Sequence, residues 1–261
     1  MRCFIIAICL LSLAACASRQ PVDITDRAQF REELQAALLD DPDLVLDLLH
    51  EHDIEVYDIV SQGAEHKRER EQALQLAKEL ENPLQPAMDP VRPVVGDADA
   101  PVTIVSYSDY LCSWCLRGAE TMKRLLERYQ GQVRLIRKHN PRSEQSAMAA
   151  LYYEALAEQD PALAFALHDR LFADQQSLAE KGEDFIKAQA MELGADMDRL
   201  ASDVDREDIH ARISADTAEA ESFGFSGTPM YVVGGVSVRG AKPLEEFDKI
   251  VRLVLERHLG Q

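Results

Sequence analysis

The chain has 261 residues, a net charge of −18 at pH 7 and an apolar content of 46%. This length allows one or two domains, and the apolar content is ordinary for a chain that buries a core. The strongly acidic balance argues against nucleic acid as a partner and against attraction to anionic lipid headgroups.

The first residues are typical of a secretory signal. Arg2 precedes an apolar run over residues 4–13, which is too short to span a bilayer, and Leu13-Ala14-Ala15-Cys16 ends in a small-residue cleavage site. We predict a signal peptide over residues 1–15. Leu-Ala-Ala-Cys resembles the lipobox of bacterial lipoproteins, which implies that Cys16 becomes a lipidated N-terminus followed by a tether over residues 16–22. Cleavage near Ala15 or Ala17 without lipidation is the alternative.

The residue after Cys16 is Ala17, not aspartate. By the sorting rule for bacterial lipoproteins, this resemblance implies the outer membrane more than the inner one. Several acyl chains would anchor the protein stably, and an exported compartment permits disulfide chemistry. We therefore predict a lipid-anchored protein of the bacterial cell envelope that faces the periplasm.

Residues 23–82 are charge-rich and have helical periodicity. Phe30, Leu34 and Leu38 follow helical spacing, and Asp41-Pro42 is a typical helix start. The apolar stripes are too thin to bury much area by themselves. We interpret this helical extension as an oligomerisation stalk that makes the protein a homo-oligomer. The alternative is an appendage that packs on its own catalytic domain or spaces that domain from the membrane.

A proline-rich segment over residues 83–100 follows the extension. Prolines interrupt helices and favour extended chain, so we predict a linker there and a second domain over residues 101–261. This second domain begins with a β-branched strand over residues 102–107, followed by a helix and a second strand over 133–137. A strand–helix–strand unit of this length predicts parallel pairing with a right-handed crossover.

The most informative motif is Cys112-Ser113-Trp114-Cys115, between the first strand and the helix. Residues i and i+3 share one face of a helical turn, so the two sulfurs can bond to each other. The helix N-terminus favours a thiolate on Cys112, and a thiolate is the species that attacks disulfides. If Cys3 and Cys9 leave with the signal, no further thiol remains for a four-ligand zinc site, so we predict no metal and no cofactor.

Further along, residues 143–222 are helical throughout, a two-residue hairpin is predicted around Gly234-Gly235, and an amphipathic helix ends the chain. This order resembles the DsbA-like family of exported thiol-disulfide oxidoreductases, whose thioredoxin fold carries an inserted helical domain. The resemblance covers about residues 100–259. It depends on four stretches: residues 106–111 before the dithiol, 146–150 and 168–172 in the insertion, and 224–230. The N-terminal extension resembles that of Com1-like and suppressor-of-copper-sensitivity-type members. The predicted fold class is α/β.

The resemblance implies roles for individual residues. Cys112 matches the exposed nucleophilic cysteine and Cys115 the buried resolving cysteine. Thr228-Pro229 matches a loop with a cis-proline that faces the dithiol and binds the substrate strand. Ser113 and Trp114 lie between the cysteines, where we expect them to face substrate. The implied partners are thiols and disulfides of exported proteins, and a membrane redox protein that recycles the dithiol.

Two features predict the direction of the chemistry. Ser113-Trp114 lacks the histidine of strongly oxidising relatives, and Thr228 replaces their valine, so we expect isomerase or reductase use over strong oxidase activity. The alternative function is an oligomeric chaperone-like or structural envelope lipoprotein with little redox turnover. Asp109 is interpreted as a cap of the dithiol helix more than as a group that tunes the thiols. His139 and His168 are interpreted as packed or surface histidines more than catalytic ones.

Overall fold

The computed structural model describes residues 27–259, with the side chain of Leu259 left out. The predicted signal peptide over 1–15, the lipidation site Cys16 and the tether over 16–22 lie outside these residues. The chain divides into two compact units between Glu69 and Arg70.

Five strands and eleven helices are formed within residues 27–259. The strands are β1 (Val94–Gly96), β2 (Val102–Ser108), β3 (Val133–His139), β4 (Met230–Val233) and β5 (Val236–Arg239). The first helices are α1 (Arg27–Asp40), α2 (Asp43–Glu51), α3 (Asp53–Glu81), α4 (Ser113–Arg128), α5 (Glu144–Gln159) and α6 (Pro161–Ala173). The others are α7 (Gln175–Lys181), α8 (Glu183–Glu192), α9 (Met197–Val204), α10 (Glu207–Ser222) and α11 (Leu244–Leu259).

The strands form one mixed sheet in the order β1-β3-β2-β4-β5. Strands β2 and β3 are parallel and joined by α4, whereas β4 and β5 form the antiparallel hairpin that the sequence predicts. Apolar side chains of α4, α11 and the sheet pack together on one face, with Leu125, Phe247 and Val251 fully buried. The expected thioredoxin fold is confirmed.

The segment over residues 83–100, predicted as a linker, belongs to the second compact unit. Its residues Val94–Gly96 form β1, which pairs antiparallel with β3 at the edge of the sheet. Arg92 is buried, and its guanidinium bonds the carboxylate of Asp216 at 2.7 Å. A three-residue strand has too little periodicity to be recognised locally, since only its pairing with β3 makes it a strand.

Helices α5 to α10 form the insertion between β3 and β4, as predicted. Their starts follow local capping: Ser143 accepts a hydrogen bond from the Ser146 N–H, and Asp160 accepts one from the Ala162 N–H before Pro161 continues the helix. The insertion core is continuous with the dithiol, because Tyr110 and Cys115 are buried in the same apolar cluster. The insertion therefore supplies one wall of the site.

The last turns of α3 belong to the second unit and are held by a buried carboxylate. Glu79 is 3% exposed and accepts hydrogen bonds from the Ser237 N–H and the Ser237 hydroxyl, both at 2.7 Å. The Ser237 N–H is on the edge strand β5 and, among the described residues, bonds the Glu79 carboxylate instead of another strand. Glu79 thereby satisfies an edge group that would otherwise be open to pairing with another chain.

Within the first unit, the described residues form α1, α2 and the beginning of α3. Many of their large apolar side chains are exposed: Phe30, Leu34, Leu39, Leu44, Val45, Leu46, Leu48, Leu49, Ile54, Tyr57, Ile59 and Val60. Over residues 27–259, no helix is both long enough and apolar enough to cross a membrane.

Candidate dithiol site

The two cysteines of the motif lie at the beginning of α4, as the spacing predicts. Cys112 is the N-cap residue with an extended backbone, and its carbonyl accepts hydrogen bonds from the N–H groups of Cys115 at 2.9 Å and Leu116 at 3.3 Å. Both cysteines are free thiols, Cys112 half-buried and Cys115 buried. One sulfur is therefore accessible from outside and the other only from within the site.

Cys115 is enclosed by the strand that precedes the motif. It is 1% exposed, and its sulfur accepts a hydrogen bond from the Asp109 N–H at 3.4 Å. Burial raises the pKa of the Cys115 thiol to about 12, although hydrogen bonds from Ser108, Asp109 and Thr228 oppose this rise. Cys115 is a neutral thiol at pH 7.

Cys112 faces the loop that precedes β4. Its thiol donates to the carbonyl oxygen of Thr228 across 3.5 Å, and the Thr228-Pro229 peptide bond is cis. The expected cis-proline loop against the dithiol is thus present. The Thr228 carbonyl and the Cys112 sulfur are adjacent, so a chain bound to one of them reaches the other.

Asp109 does not cap α4. Its carboxylate is buried and accepts hydrogen bonds from the Leu111 N–H at 2.7 Å and the Arg142 N–H at 2.6 Å. These bonds fix the loop between β2 and α4 to the loop between β3 and α5. Because the Asp109 N–H also contacts Cys115, this residue positions the buried sulfur through its backbone.

Gln175, at the start of α7, links the insertion to the dithiol loop. Its side-chain amide donates to the carbonyl oxygens of Tyr110 at 2.7 Å and Cys112 at 3.1 Å. The sequence offers no signal for this contact, because 63 residues separate Gln175 from Cys112 and a glutamine on a polar helix start is unremarkable.

Gly118 and Tyr231 set the distance between α4 and the cis-proline loop. A Cβ atom at Gly118 would overlap the Tyr231 hydroxyl oxygen and would lie 3.2 Å from Pro229 Cγ. Tyr231 is buried, and burial together with the nearby cysteines raises the pKa of its phenol well above the usual value. A glycine inside a helix is the one signal in the sequence that points to this close approach.

Ser113 and Trp114 are both exposed. Trp114 is 55% exposed, and the Arg117 guanidinium lies 4.5 Å from the centre of its ring. The cation holds one face of the indole in place, which leaves an aromatic surface beside Cys112.

The histidines behave as packing residues. His139 contacts Glu154 at 3.0 Å and His168 contacts the Tyr110 hydroxyl at 3.3 Å, and both rings are buried behind the site. Between residues 27 and 259, no group of three or more histidine, cysteine or acidic side chains is arranged to hold a metal ion.

The fold and the site define a thioredoxin-fold protein with a helical insertion and a two-cysteine site. The family described as Thioredoxin matches residues 89–252. The chain belongs to this family, and it is similar to solved thiol-disulfide exchange proteins of the DsbA and ScsC type.

Among solved structures, a thioredoxin-like oxidoreductase from Silicibacter pomeroyi is 28% identical with a TM-score of 0.58, covering 66% of this chain and 95% of that one. The catalytic domain of Proteus mirabilis ScsC is 25% identical with a TM-score of 0.58, covering 70% of this chain and 98% of that one.

Among curated relatives, the Na(+)/H(+) antiporter NhaA of Herminiimonas arsenicoxydans is 29% identical over 66% of this chain, which spans 26% of that relative's length. The probable disulfide bond formation protein D of Bacillus cereus is 28% identical over 54% of this chain and 69% of that relative.

Proposed function

We propose that this protein is a thiol-disulfide oxidoreductase that exchanges disulfides with exported proteins through Cys112 and Cys115. One observation carries the proposal: the accessible Cys112 sulfur contacts the Thr228 carbonyl, and the Cys115 sulfur is buried one helical turn further along α4. Two similarities support it: one to the thioredoxin-like oxidoreductase of Silicibacter pomeroyi, and one to the probable disulfide bond formation protein D of Bacillus cereus.

In the oxidising direction, the protein begins with a Cys112–Cys115 disulfide. A substrate thiolate attacks the Cys112 sulfur, and Cys115 leaves as a thiolate that takes up a proton. A second substrate thiolate then attacks the substrate sulfur of the mixed disulfide and releases Cys112. Two electrons pass from the substrate dithiol to the protein disulfide, and the substrate gains one disulfide.

In the opposite direction, Cys112 attacks a substrate disulfide and forms the same mixed disulfide. Either Cys115 resolves it, which reduces the substrate, or another substrate thiol does, which rearranges the substrate disulfides. Because burial raises the pKa of Cys115 to about 12, its thiolate is scarce at pH 7. The mixed disulfide then persists long enough for a substrate thiol to act, which favours rearrangement of substrate disulfides. The broader preference for isomerase or reductase use over strong oxidase use depends on Ser113-Trp114 and Thr228, which differ from the residues of strongly oxidising relatives.

Substrate binding is assigned to Ser113, Trp114, Thr228 and Pro229. An extended client segment that pairs with the Thr228 backbone places its cysteine next to the Cys112 sulfur. Such main-chain pairing tolerates many sequences. The exposed Trp114 ring adds apolar contact beside it.

We also propose that the protein is anchored by lipid at Cys16, faces the periplasm, and is on the outer membrane more than the inner one. A membrane redox protein would then recycle the dithiol. Metabolic labelling with a radioactive fatty acid tests the anchor: the wild-type chain should take up label and a Cys16→Ser variant should not. Label in both proteins would refute lipidation at Cys16.

The helical extension is proposed to join copies of the chain. Its support is the row of exposed apolar side chains on α1, α2 and the beginning of α3, which a second copy of the same helices would bury. Because α3 is bound through Glu79 in the second unit, the test removes residues 23–69 and leaves 70 onward intact. Sedimentation should show oligomers of the mature chain and monomers after the deletion.

The alternative function is that of an envelope lipoprotein that binds unfolded chains with little redox turnover. A Cys112→Ser variant distinguishes it from oxidoreductase function. Oxidoreductase function predicts that the variant loses insulin reduction, repair of scrambled ribonuclease and function in cells. If function in cells survives while both assays fail, the chaperone-like alternative is correct. An equilibrium against glutathione gives the direction: a potential as high as that of strong oxidants would refute the isomerase or reductase preference.

A further inference from the structure

Behind the dithiol, a cavity of about 580 Å³ opens between α4, α6 and one face of the sheet. Cys115 contributes to its wall, but Cys112 and the Thr228-Pro229 loop do not, so it is separate from the proposed client surface. A volume of this size falls within the range of small-molecule sites.

Several aromatic rings contribute to the walls of the cavity. Tyr110, Phe165, His168 and Phe172 line it, and the Tyr110 and Phe172 ring centres are 5.2 Å apart. Burial holds the pKa of His168 well below its usual range, so this ring is neutral at pH 7 and adds no charge to the walls. Such walls favour a planar apolar ligand.

One charged side chain at the cavity has no acidic partner among the described residues. Arg137 lines the cavity with its guanidinium over the Phe165 ring, at 5.3 Å from the ring centre, and its buried Nη1 atom makes no hydrogen bond. Burial raises the pKa of the Tyr153 hydroxyl, and both the charge and the hydrogen bonding of Arg137 oppose that rise, which places the two groups within reach of each other. The Tyr153 oxygen can accept from one guanidinium N–H, and a ligand oxygen would supply an acceptor for another.

The charges at the mouth decide the kind of ligand. Three exposed acidic side chains line it: Glu120, Glu127 and Asp169. Lys123 is the one exposed ammonium among the described lining residues. Lys138 also lines the cavity, but its ammonium is paired with Glu219 at 2.5 Å. An acidic mouth repels anions, whereas a neutral carbonyl oxygen still accepts a hydrogen bond from Arg137.

We propose that this cavity binds a neutral, planar aromatic molecule whose carbonyl oxygen accepts a hydrogen bond from Arg137. The proposal is independent of redox turnover, since neither sulfur needs to react. It assigns to Arg137 a binding role in addition to packing.

The uncharged naphthalene ketone Prodan tests the proposal, because its emission depends on its surroundings. Titration into the full chain should give saturable binding. Arg137→Met should weaken binding by about tenfold, whereas Arg124→Met, the same change at an exposed position of α4 outside the cavity, should leave it unchanged. Ala119→Phe, which fills the cavity from α4, should abolish binding and decides the outcome if Arg137→Met fails to fold.

Three results would overturn the proposal. Equal binding by all variants would place the probe elsewhere, for example on the exposed apolar residues of the first unit. An absence of saturable binding to the wild-type chain would mean that water alone satisfies Arg137. Tighter binding of the anionic probe anilinonaphthalene sulfonate than of Prodan would refute the assignment to a neutral ligand.

Discussion

The side-chain amide of Gln175 donates a hydrogen bond to the carbonyl oxygen of Cys112 at 3.1 Å. Through this bond, the helical insertion directly contacts the first residue of the dithiol. The same amide bonds the Tyr110 carbonyl, so one side chain holds two points of the loop that presents the cysteines. The neighbouring Gln176 provides a natural control, since its amide contacts only Glu180 on its own exposed helix face.

Gln175→Leu should lower the free energy of unfolding by about 1–2 kcal/mol, because the Tyr110 carbonyl loses its side-chain donor and the Cys112 carbonyl keeps only its helical N–H donors. Insulin reduction should also slow several-fold because the loop is less well positioned. Urea denaturation and the insulin assay measure the two effects. Gln176→Leu should change either quantity little, by less than about 0.5 kcal/mol in stability. Equal effects of the two substitutions would remove Gln175 from any positioning role.

Gly118→Ala should destabilise the protein by about 1–3 kcal/mol, because the new methyl group would overlap the Tyr231 hydroxyl. Removing that oxygen should relieve the largest overlap, although Pro229 Cγ at 3.2 Å and the Tyr231 ring at 3.3 Å remain close to the Cβ position. The double variant Gly118→Ala/Tyr231→Phe should therefore be more stable than Gly118→Ala alone, as measured by thermal unfolding.

Gly63 is the matched control for this substitution. It lies in α3, and a Cβ atom added there would have no other atom within 4 Å, so Gly63→Ala should be neutral or stabilising by about 0.5–1 kcal/mol. A stable Gly118→Ala protein would show that the helix and the loop can separate freely.

Iodoacetamide should label Cys112 far faster than Cys115 in the reduced, folded chain at pH 8. Cys115 is buried, and its pKa of about 12 leaves roughly one molecule in 10⁴ as thiolate at that pH. In a folded Cys112→Ser variant, the rate at which Cys115 is labelled should keep rising with pH up to about 12. In urea, the pH dependence of that rate should be that of an ordinary thiol. Peptide mass spectrometry separates the two sites. Comparable labelling of both cysteines in the native chain would contradict the burial of Cys115.

Glu154→Gln should cost about 3 kcal/mol of stability, because it leaves the buried Arg92 guanidinium with less opposing charge. Burial by itself raises the pKa of Glu154, but His139, Arg92 and Arg212 outweigh it and lower the pKa to about 2. The charged carboxylate therefore stabilises the fold above its unfolded pKa of about 4.3, and this contribution is lost as the pH falls towards 2.

The pH dependence separates this buried group from surface pairs. Wild-type stability should fall between about pH 4.5 and pH 2 more steeply than that of Glu154→Gln, as measured by denaturant unfolding at each pH. Glu192→Gln, which breaks the exposed pair with Arg170, should change stability by less than about 1 kcal/mol. Parallel wild-type and Glu154→Gln curves would refute the assignment.

Much of the second domain is readable from local sequence. The motif at Cys112 and Cys115, the β-branched strands, the glycine pair of the hairpin and the capping residues Ser143 and Asp160 each specify their own element through nearest-neighbour chemistry. These signals and their order along the chain carry the resemblance to the DsbA-like family, and that resemblance implies the thioredoxin fold, the helical insertion and the cis-proline loop. Asp109 shows the limit of local sequence. A carboxylate just before a helix is typical of a helix cap, but the Asp109 carboxylate instead accepts hydrogen bonds from N–H groups of two different loops.

Tertiary structure alone decided what surrounds the dithiol. The sequence by itself determined which two sulfurs can meet, since residues one helical turn apart are neighbours in any such helix. It could not determine that Gln175 would reach the Cys112 carbonyl, that β1 would pair with β3 inside a proline-rich segment, or that Arg137 would face an aromatic cavity. These contacts join residues far apart along the chain, and their energies exist only once the sheet and the insertion have packed against each other.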